Sequence, residues 1–343
     1  FVLLTFMGIV PIVGAMLIVA GGIGWYRIFG RSRTSHESAS LDALRIRAMG
    51  RHIEDTGSAL ADPGKANVLI PVHVGINDHR LRDLIRTAGS VIRPDGEIRI
   101  VQVARDGPDR EMRRARSTEE QEFDAMAARE AMQLRVPIAV LHATGRHRRP
   151  SLEAFVRDHG VDLVLAELLQ VSTGRGFRSD MEWLGDRVVC DVALLGNRYL
   201  EQVDDIVVLG SGGPLDPVKL NFAGRIGAGE DARVAIVHVL GADASGRQVV
   251  SLHEYHEQLG GQMPVTMVSK VERGTNLVAE LATQAREADL VIIGAVRTRL
   301  RVVADLVDRI QSSVDAPLLL VRTHETAHRP SLGGRVLEKV LRA

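Results

Sequence analysis

A single cysteine, Cys190, in 343 residues excludes an internal disulfide and fits a reducing compartment. Aromatic side chains make up 3% of the chain, too few for the stacking platforms that hold single-stranded nucleic acid. An excess of charge of either sign is also missing. Lys+Arg and Asp+Glu are both 43, so the net charge is zero and nothing electrostatic points to nucleic acid. Catalytic patterns are absent too. Acid–histidine neighbours such as Asp158-His159 are scattered, and no serine or cysteine elbow accompanies them. His142, His147, His238, His253 and His256 show no metal spacing with cysteine. His253 and His256, three apart on what reads as a surface helix, come nearest to a zinc pair. A hydrolase or kinase is therefore not expected, nor is a bound metal.

Charge is missing altogether from the start of the chain, where the first charged residue is Arg27. A helix needs about 20 apolar residues to cross a bilayer core. Trp25 and Tyr26 end the run, and Arg27, Arg31 and Arg33 follow, the order of the cytoplasmic end of a membrane span. A signal peptide would carry its positive charge before the apolar run, with small residues for cleavage after it. Gly21, Gly22 and Gly24 would weaken a helix in water, whereas membrane helices carry glycine more readily. Residues 1–33 are expected to be a transmembrane segment, with Pro11 dividing it and Ile12–Phe29 as the last span. The chain starts without Met, which suggests the C-terminal part of something larger. Residues 34–65 read as a linker, with an amphipathic stripe of Leu41, Leu44 and Met49 suited to a membrane surface or partner subunit, or simply solvated.

The remainder is a repeat. "NVLIPVHVG" (Asn67–Gly75) is answered by "DDIVVLGSGG" (Asp204–Gly213), and "EIRIVQV" (Glu97–Val103) by "ARVAIVHV" (Ala232–Val239). "VPIAVLHA" (Val136–Ala143) is answered by "MPVTMVSK" (Met263–Lys270), and "VDLVLAE" (Val161–Glu167) by "ADLVIIG" (Ala288–Gly294). Each unit closes on an apolar run, "DVALLG" (Asp191–Gly196) and "APLLLVR" (Ala316–Arg322). Helical patterns lie between, among them Ser151–Gly160, Asn276–Ala288 and the charge-laced Arg110–Met132. Strands that are continuously apolar and alternate with helices predict a parallel sheet covered on both faces. The expected fold is α/β, a transmembrane helix followed by two tandem five-stranded, doubly wound domains, 66–198 and 203–324, with a tail over 325–343. The closing strands carry unbroken apolar runs, poor protection for a sheet edge. They are expected to pair with each other or with a twin chain, which makes a homodimer an expected assembly.

"ADLVIIGAVRT…DRIQSSVDAPLLLVR" (Ala288–Arg322) resembles the closing half of a universal stress protein domain, and "VDLVLAELLQ…GDRVVCDVALLG" (Val161–Gly196) resembles a more diverged copy. The opening segment, with "GWYRIFGRSR…SLDALR", is similar to the last helix and exit of amino acid permease-like transporters of the amino acid–polyamine–organocation superfamily. Relatives there, cation–chloride cotransporters among them, carry tandem stress-protein-like domains in the cytosol. The resemblance implies an adenine nucleotide alpha hydrolase-like fold. It also implies a plasma membrane location with the domains in the cytoplasm, the bilayer and an upstream transporter core as partners, and a role in regulation or dimerisation. The alternative is a membrane-anchored nucleotide-sensing module.

ATP-binding members carry Gly-x2-Gly-x9-Gly-(Ser/Thr) after the fourth strand, where glycines admit phosphate to a helix N-terminus. Here the second unit has Gly294, then Ala295, Val296 and Arg297, with no further glycine before Gly333. The first unit has Glu167 where the strand-end glycine would fall, and its Gly174 and Gly176 are misplaced. His73 and Ser211 stand near the place of the acidic residue at the end of the first strand. The motif is broken in both units, so no ATP or other cofactor is expected. A degenerate nucleotide site would use Gly210, Ser211, Gly294 and Arg297, with Arg299 and Arg301 beside the last. "GSGGP" (Gly210–Pro214) could cradle a phosphate, but a strand-to-helix turn also needs small residues, and the turn is the expected reading.

Overall fold

A computed structural model of the chain describes residues 64–73, 76–104, 110–144, 148–168, 187–196, 198–213, 215–294, 307 and 309–323. The expected membrane segment 1–33, nearly all of the linker 34–65, the tail 325–343, the loop with Gly174 and Gly176, and Arg297, Arg299 and Arg301 lie outside the described residues. Among the described residues no helix is long and apolar enough to cross a membrane.

Ten strands form one sheet. The first five are β1 (Lys65–His73), β2 (Ile92–Ala104), β3 (Ile138–Thr144), β4 (Leu163–Glu167) and β5 (Asp191–Leu195). The second five are β6 (Asp205–Leu209), β7 (Arg233–Gly241), β8 (Met267–Gly274), β9 (Leu290–Gly294) and β10 (Leu318–Arg322). The order across the sheet is β3-β2-β1-β4-β5-β10-β9-β6-β7-β8. The two halves thus repeat one order outward from the centre. Pairing is parallel except at the middle, where β10 and β5 run antiparallel with Leu319 opposite Leu195 and Val321 opposite Ala193. The two unprotected closing strands therefore cover each other within the chain. The Gly196 N–H donates to the Leu318 carbonyl at 2.6 Å just beyond the ladder, and Arg198 reaches Asp315 Oδ1 at 2.5 Å.

Six helices belong to the described residues: α1 (Asp78–Val91), α2 (Arg110–Leu134), α3 (Arg148–Asp158), α4 (Asp216–Glu230), α5 (Gly246–Gly260) and α6 (Leu277–Gln284). Local sequence starts them. Asn77 caps α1 by accepting from the His79 N–H at 2.8 Å, and Ser245 with Gln248 forms a reciprocal capping box on α5. Consecutive Val68, Leu69 and Ile70 are all fully buried, as the interior of a sheet covered on both faces requires. One core cluster runs through both halves, from Leu69, Val101 and Val164 to Val207, Val291 and Leu320.

Two strand boundaries depart from the pattern. β2 begins at Ile92, before the apolar run, because Gly96 lets the chain pass Ile92 and the Ala66 carbonyl, where a Cβ would meet atoms at 2.5 and 2.7 Å. β8 begins at Met267 rather than Met263, because its partner β7 begins at Arg233 and the first pair of the ladder sets Val234 opposite Met267.

Candidate functional site

The crevice at the C-terminal ends of the strands is where doubly wound sheets take ligands. In the second half it is built by the end of β6, the turn after it, the start of α4 and the end of β9. The turn is the one expected of "GSGGP", with Gly212 at φ 62, the left-handed region that glycine enters freely. Its amides converge as they would on a phosphate, but their acceptor comes from the chain itself. The Asp216 carboxylate accepts from the backbone N–H of Ser211 at 2.9 Å, Gly212 at 2.7 Å and Gly213 at 3.3 Å, and from the Ser211 hydroxyl at 2.8 Å. Asp216 is 0% exposed. Lys219, one turn along α4 and 2% exposed, places Nζ 2.6 Å from Asp216 Oδ1 and donates to the Leu209 carbonyl at the end of β6. Burial alone would raise the Asp216 pKa. The Lys219 charge and the hydrogen bonds from Lys219 and Ser211 outweigh it and hold the group below its ordinary value.

These residues show where the four sequence candidates stand. Gly210 donates its N–H to the Val237 carbonyl at 2.8 Å and leaves room for the His238 ring, which a Cβ would meet at 3.1 Å. Ser211 serves Asp216. Gly294 flanks Lys219 from β9, where a Cβ would lie 3.1 Å from Lys219 Cδ and 3.2 Å from Leu215 Cδ1. Gly210, Ser211 and Gly294 are thus gathered around the Asp216–Lys219 pair, while Arg297 lies outside the described residues. Asp216 and Lys219 were not singled out in the sequence. The available signal was a carboxylate and a lysine three apart at a helix start directly after a glycine turn.

The first half closes its crevice with different residues. Arg80, on the first turn of α1 and 3% exposed, places Nε 3.2 Å from Glu167 Oε1 at the end of β4. Its other nitrogens donate to the Leu195 carbonyl at 2.6 Å and the Arg198 carbonyl at 2.8 Å. Asp83, one turn on, accepts from the Leu200 N–H at 3.1 Å. Burial lowers the Arg80 pKa against the opposing charges of Glu167 and Asp83, and burial raises that of Asp83. Glu167, at the position where the resemblance implies a strand-end glycine, supplies the carboxylate that pairs with the buried guanidinium.

Behind the second crevice lies a polar seam. Ser269 Oγ on β8 sits 2.8 Å from His256 Nδ1 and 2.9 Å from His253 Nδ1. The Tyr255 hydroxyl donates to the Gly213 carbonyl at 3.4 Å. His256 is 0% exposed, its Nε2 makes no hydrogen bond, and burial, then the neighbouring His238, pushes its pKa down to about 4. This corrects the surface-helix reading of the His253/His256 pair, because α5 turns Leu252, Tyr255, His256 and Leu259 inward. Among the described residues no group of three or more His, Cys, Asp or Glu is placed to hold a metal. The Cys190 thiol is buried, and burial together with the Asp191 charge raises its pKa to about 12, so it is inert as a nucleophile. An open groove of about 440 Å³ lies between α1, α2 and α4. Its charges are paired among themselves, Arg82 with Glu130 at 2.9 Å and Arg86 with both oxygens of Glu230.

No protein-family model and no curated protein matches the chain. Solved structures do. The cytoplasmic domain of a prokaryotic cation chloride cotransporter is similar at TM-score 0.55 and 12% identity, over 76% of this chain and 97% of that one. A universal stress protein from Archaeoglobus fulgidus gives the same values, TM-score 0.55 and 12% identity over 76% and 97%. A protein of unknown function from Pseudomonas aeruginosa PAO1 gives TM-score 0.54 and 11% identity over 82% and 98%. The described region is therefore a mixed α/β body with a mostly parallel sheet and a universal stress protein-like fold.

Proposed function

We propose that this chain is the C-terminal portion of a transport protein of the plasma membrane, related to the amino acid permease-like superfamily. In this reading residues 1–33 form its last membrane helix, and the ten-stranded body is a cytosolic module that sets geometry or gates the transporter without turnover of its own. The observation that carries the regulatory and structural reading is the filling of both strand-end crevices by ion pairs of the chain itself, the half-buried Arg80–Glu167 and the buried Asp216–Lys219. An incoming phosphate would have to displace a carboxylate that already takes the amides of Ser211, Gly212 and Gly213. The membrane part rests on the uncharged opening run with Trp25, Tyr26 and the following arginines. The likeness in fold to a cotransporter's cytoplasmic domain supports the context.

The chain is expected to sediment with membranes and to be released by deletion of residues 1–33; full-length chain that stays soluble without detergent refutes the anchor. Millimolar ATP is expected to leave the melting temperature unchanged. A ligand at a hundred times its Kd would add about 2.7 kcal/mol, readily seen in a melt. A rise in melting temperature that disappears in Arg297→Ala would shift the reading to a nucleotide-sensing module.

A further inference from the structure

The ten-stranded sheet ends in two edges, β3 and β8, and they are not alike. β8 carries Lys270, Glu272 and Arg273 among its residues Met267–Gly274, the charges that keep an edge from pairing. β3, "IAVLHAT", carries no acidic, lysine or arginine side chain over seven residues, and Leu141 at its middle is 40% exposed. Among the described residues no strand pairs with the outer side of β3.

The hydrogen-bond register says which backbone groups face outward. In a parallel ladder the N–H and C=O of one residue turn to the same neighbour, and successive residues alternate. The Ile98 N–H of β2 donates to the Pro137 carbonyl at 2.9 Å, and Ala139 lies opposite Arg99. Pro137, Ala139, Leu141 and Ala143 therefore turn to β2, and Ile138, Val140, His142 and Thr144 turn away from it. An antiparallel copy of the same strand, related by a two-fold axis at Leu141, sets Ile138 opposite Thr144, Val140 opposite His142 and Leu141 opposite its own copy. The outward residues then meet only outward residues, as hydrogen-bonded pairs, and every outward N–H and C=O is used. No like formal charges face each other, and Leu141 meets Leu141 in a non-hydrogen-bonded pair, the closer kind. The same chain already joins two sheets antiparallel, through β5 and β10.

We infer that β3 is a self-association edge: two copies of this chain pair antiparallel along Ile138–Thr144 about a two-fold axis at Leu141, continuing the sheet from one copy into the next. The juncture lies far from the central β5–β10 pairing, which the chain satisfies alone.

Full-length chain in mild detergent provides the test, because Cys190 is the only native cysteine and is buried. In Leu141→Cys the two new cysteines would face each other with Cα atoms about 4.5 Å apart, within the range of a disulfide. Oxidation by copper phenanthroline at micromolar protein is expected to convert most of the chain to a covalent dimer that thiol reduction reverses. Val268→Cys, at a comparably exposed position on β8, is expected to remain largely monomeric. Light scattering across a hundredfold dilution is expected to show a wild-type dimer. In Leu141→Lys, which sets like charges opposite each other, its dissociation constant should rise at least tenfold. The inference is overturned by a Leu141→Cys chain that forms no covalent dimer, by an equal yield from Val268→Cys, by a wild-type monomer at every concentration, or by a Leu141→Lys dimer as tight as wild type.

Discussion

Replacing Lys219 by methionine removes the cation that, among the described residues, pairs with the Asp216 carboxylate, which is 0% exposed. Asp216 keeps its three backbone donors and the Ser211 hydroxyl, so the carboxylate is not stripped of hydrogen bonds. It does lose a cation at 2.6 Å, and the Leu209 carbonyl at the end of β6 loses its donor. Breaking a buried pair from one side costs about 3–5 kcal/mol. The retained donors place Lys219→Met near the lower end, about 3 kcal/mol. Asp216→Asn is the harsher change, about 4 kcal/mol, because it leaves an ammonium buried and turns an amide group toward three backbone N–H donors. The double variant leaves neither charge of this pair buried. Its cost should fall short of the sum by about 2 kcal/mol, within the usual size of coupling between contacting groups. The assay is urea unfolding of a fragment spanning residues 55–343, the compact unit that holds all ten strands. A Lys219→Met variant within about 1 kcal/mol of the parent, or strictly additive variants, would refute the claim that this pair closes the crevice.

His256 titrates below the value of about 6.5 expected in an unfolded chain, so the folded state binds fewer protons between the two values. Stability should then fall as pH drops from about 6.5 to 4 and level off below, by about 3 kcal/mol in all; His256→Gln should flatten that limb, measured by unfolding at a series of pH values. In the first half, Glu167→Gln should cost about 1–2 kcal/mol, because Arg80 keeps its two carbonyl acceptors, whereas Arg80→Met should cost about 3 kcal/mol or more by leaving Glu167, Asp83 and the Leu195 carbonyl without it. Gly294→Ala should destabilise by about 1 kcal/mol with no effect of ATP on the melt, because the new methyl presses on Lys219 and Leu215.

The strands were legible because a sheet buried on both faces demands unbroken apolar runs, and all ten runs read from the sequence overlap a strand. Boundaries were less legible where a partner or a single residue overrides the pattern, as the start of β7 sets that of β8 and Gly96 extends β2 upstream. The pairing of β5 with β10 was legible as an alternative, since an apolar edge must be covered and the chain carries two. The His256 environment was open to a fuller reading: Leu252, Tyr255, His256 and Leu259 fall on one face at helical spacing, and that stripe places the histidine inward. What the sequence hid are contacts across long separations. Arg80 and Glu167 are 87 residues apart, and only the glutamate standing in a glycine's place hinted that something required it.

That glutamate bears on how the two halves relate. A strand-end crevice presents carbonyls and turn amides that need partners, and buried unpaired groups of this kind cost about 1–3 kcal/mol each. Both halves answer with a cation from the first turn of the helix after the first strand, Arg80 on α1 and Lys219 on α4, each bonding a carbonyl at a strand end. Both add a carboxylate, but from different places: Glu167 comes from the end of β4, and Asp216 from the helix itself. The two halves meet one physical demand with the cation placed alike and its carboxylate drawn from different elements. The demand is that a strand-end cradle be filled, and a side chain of the same chain fills it without the entropy that a bound ligand must give up on association.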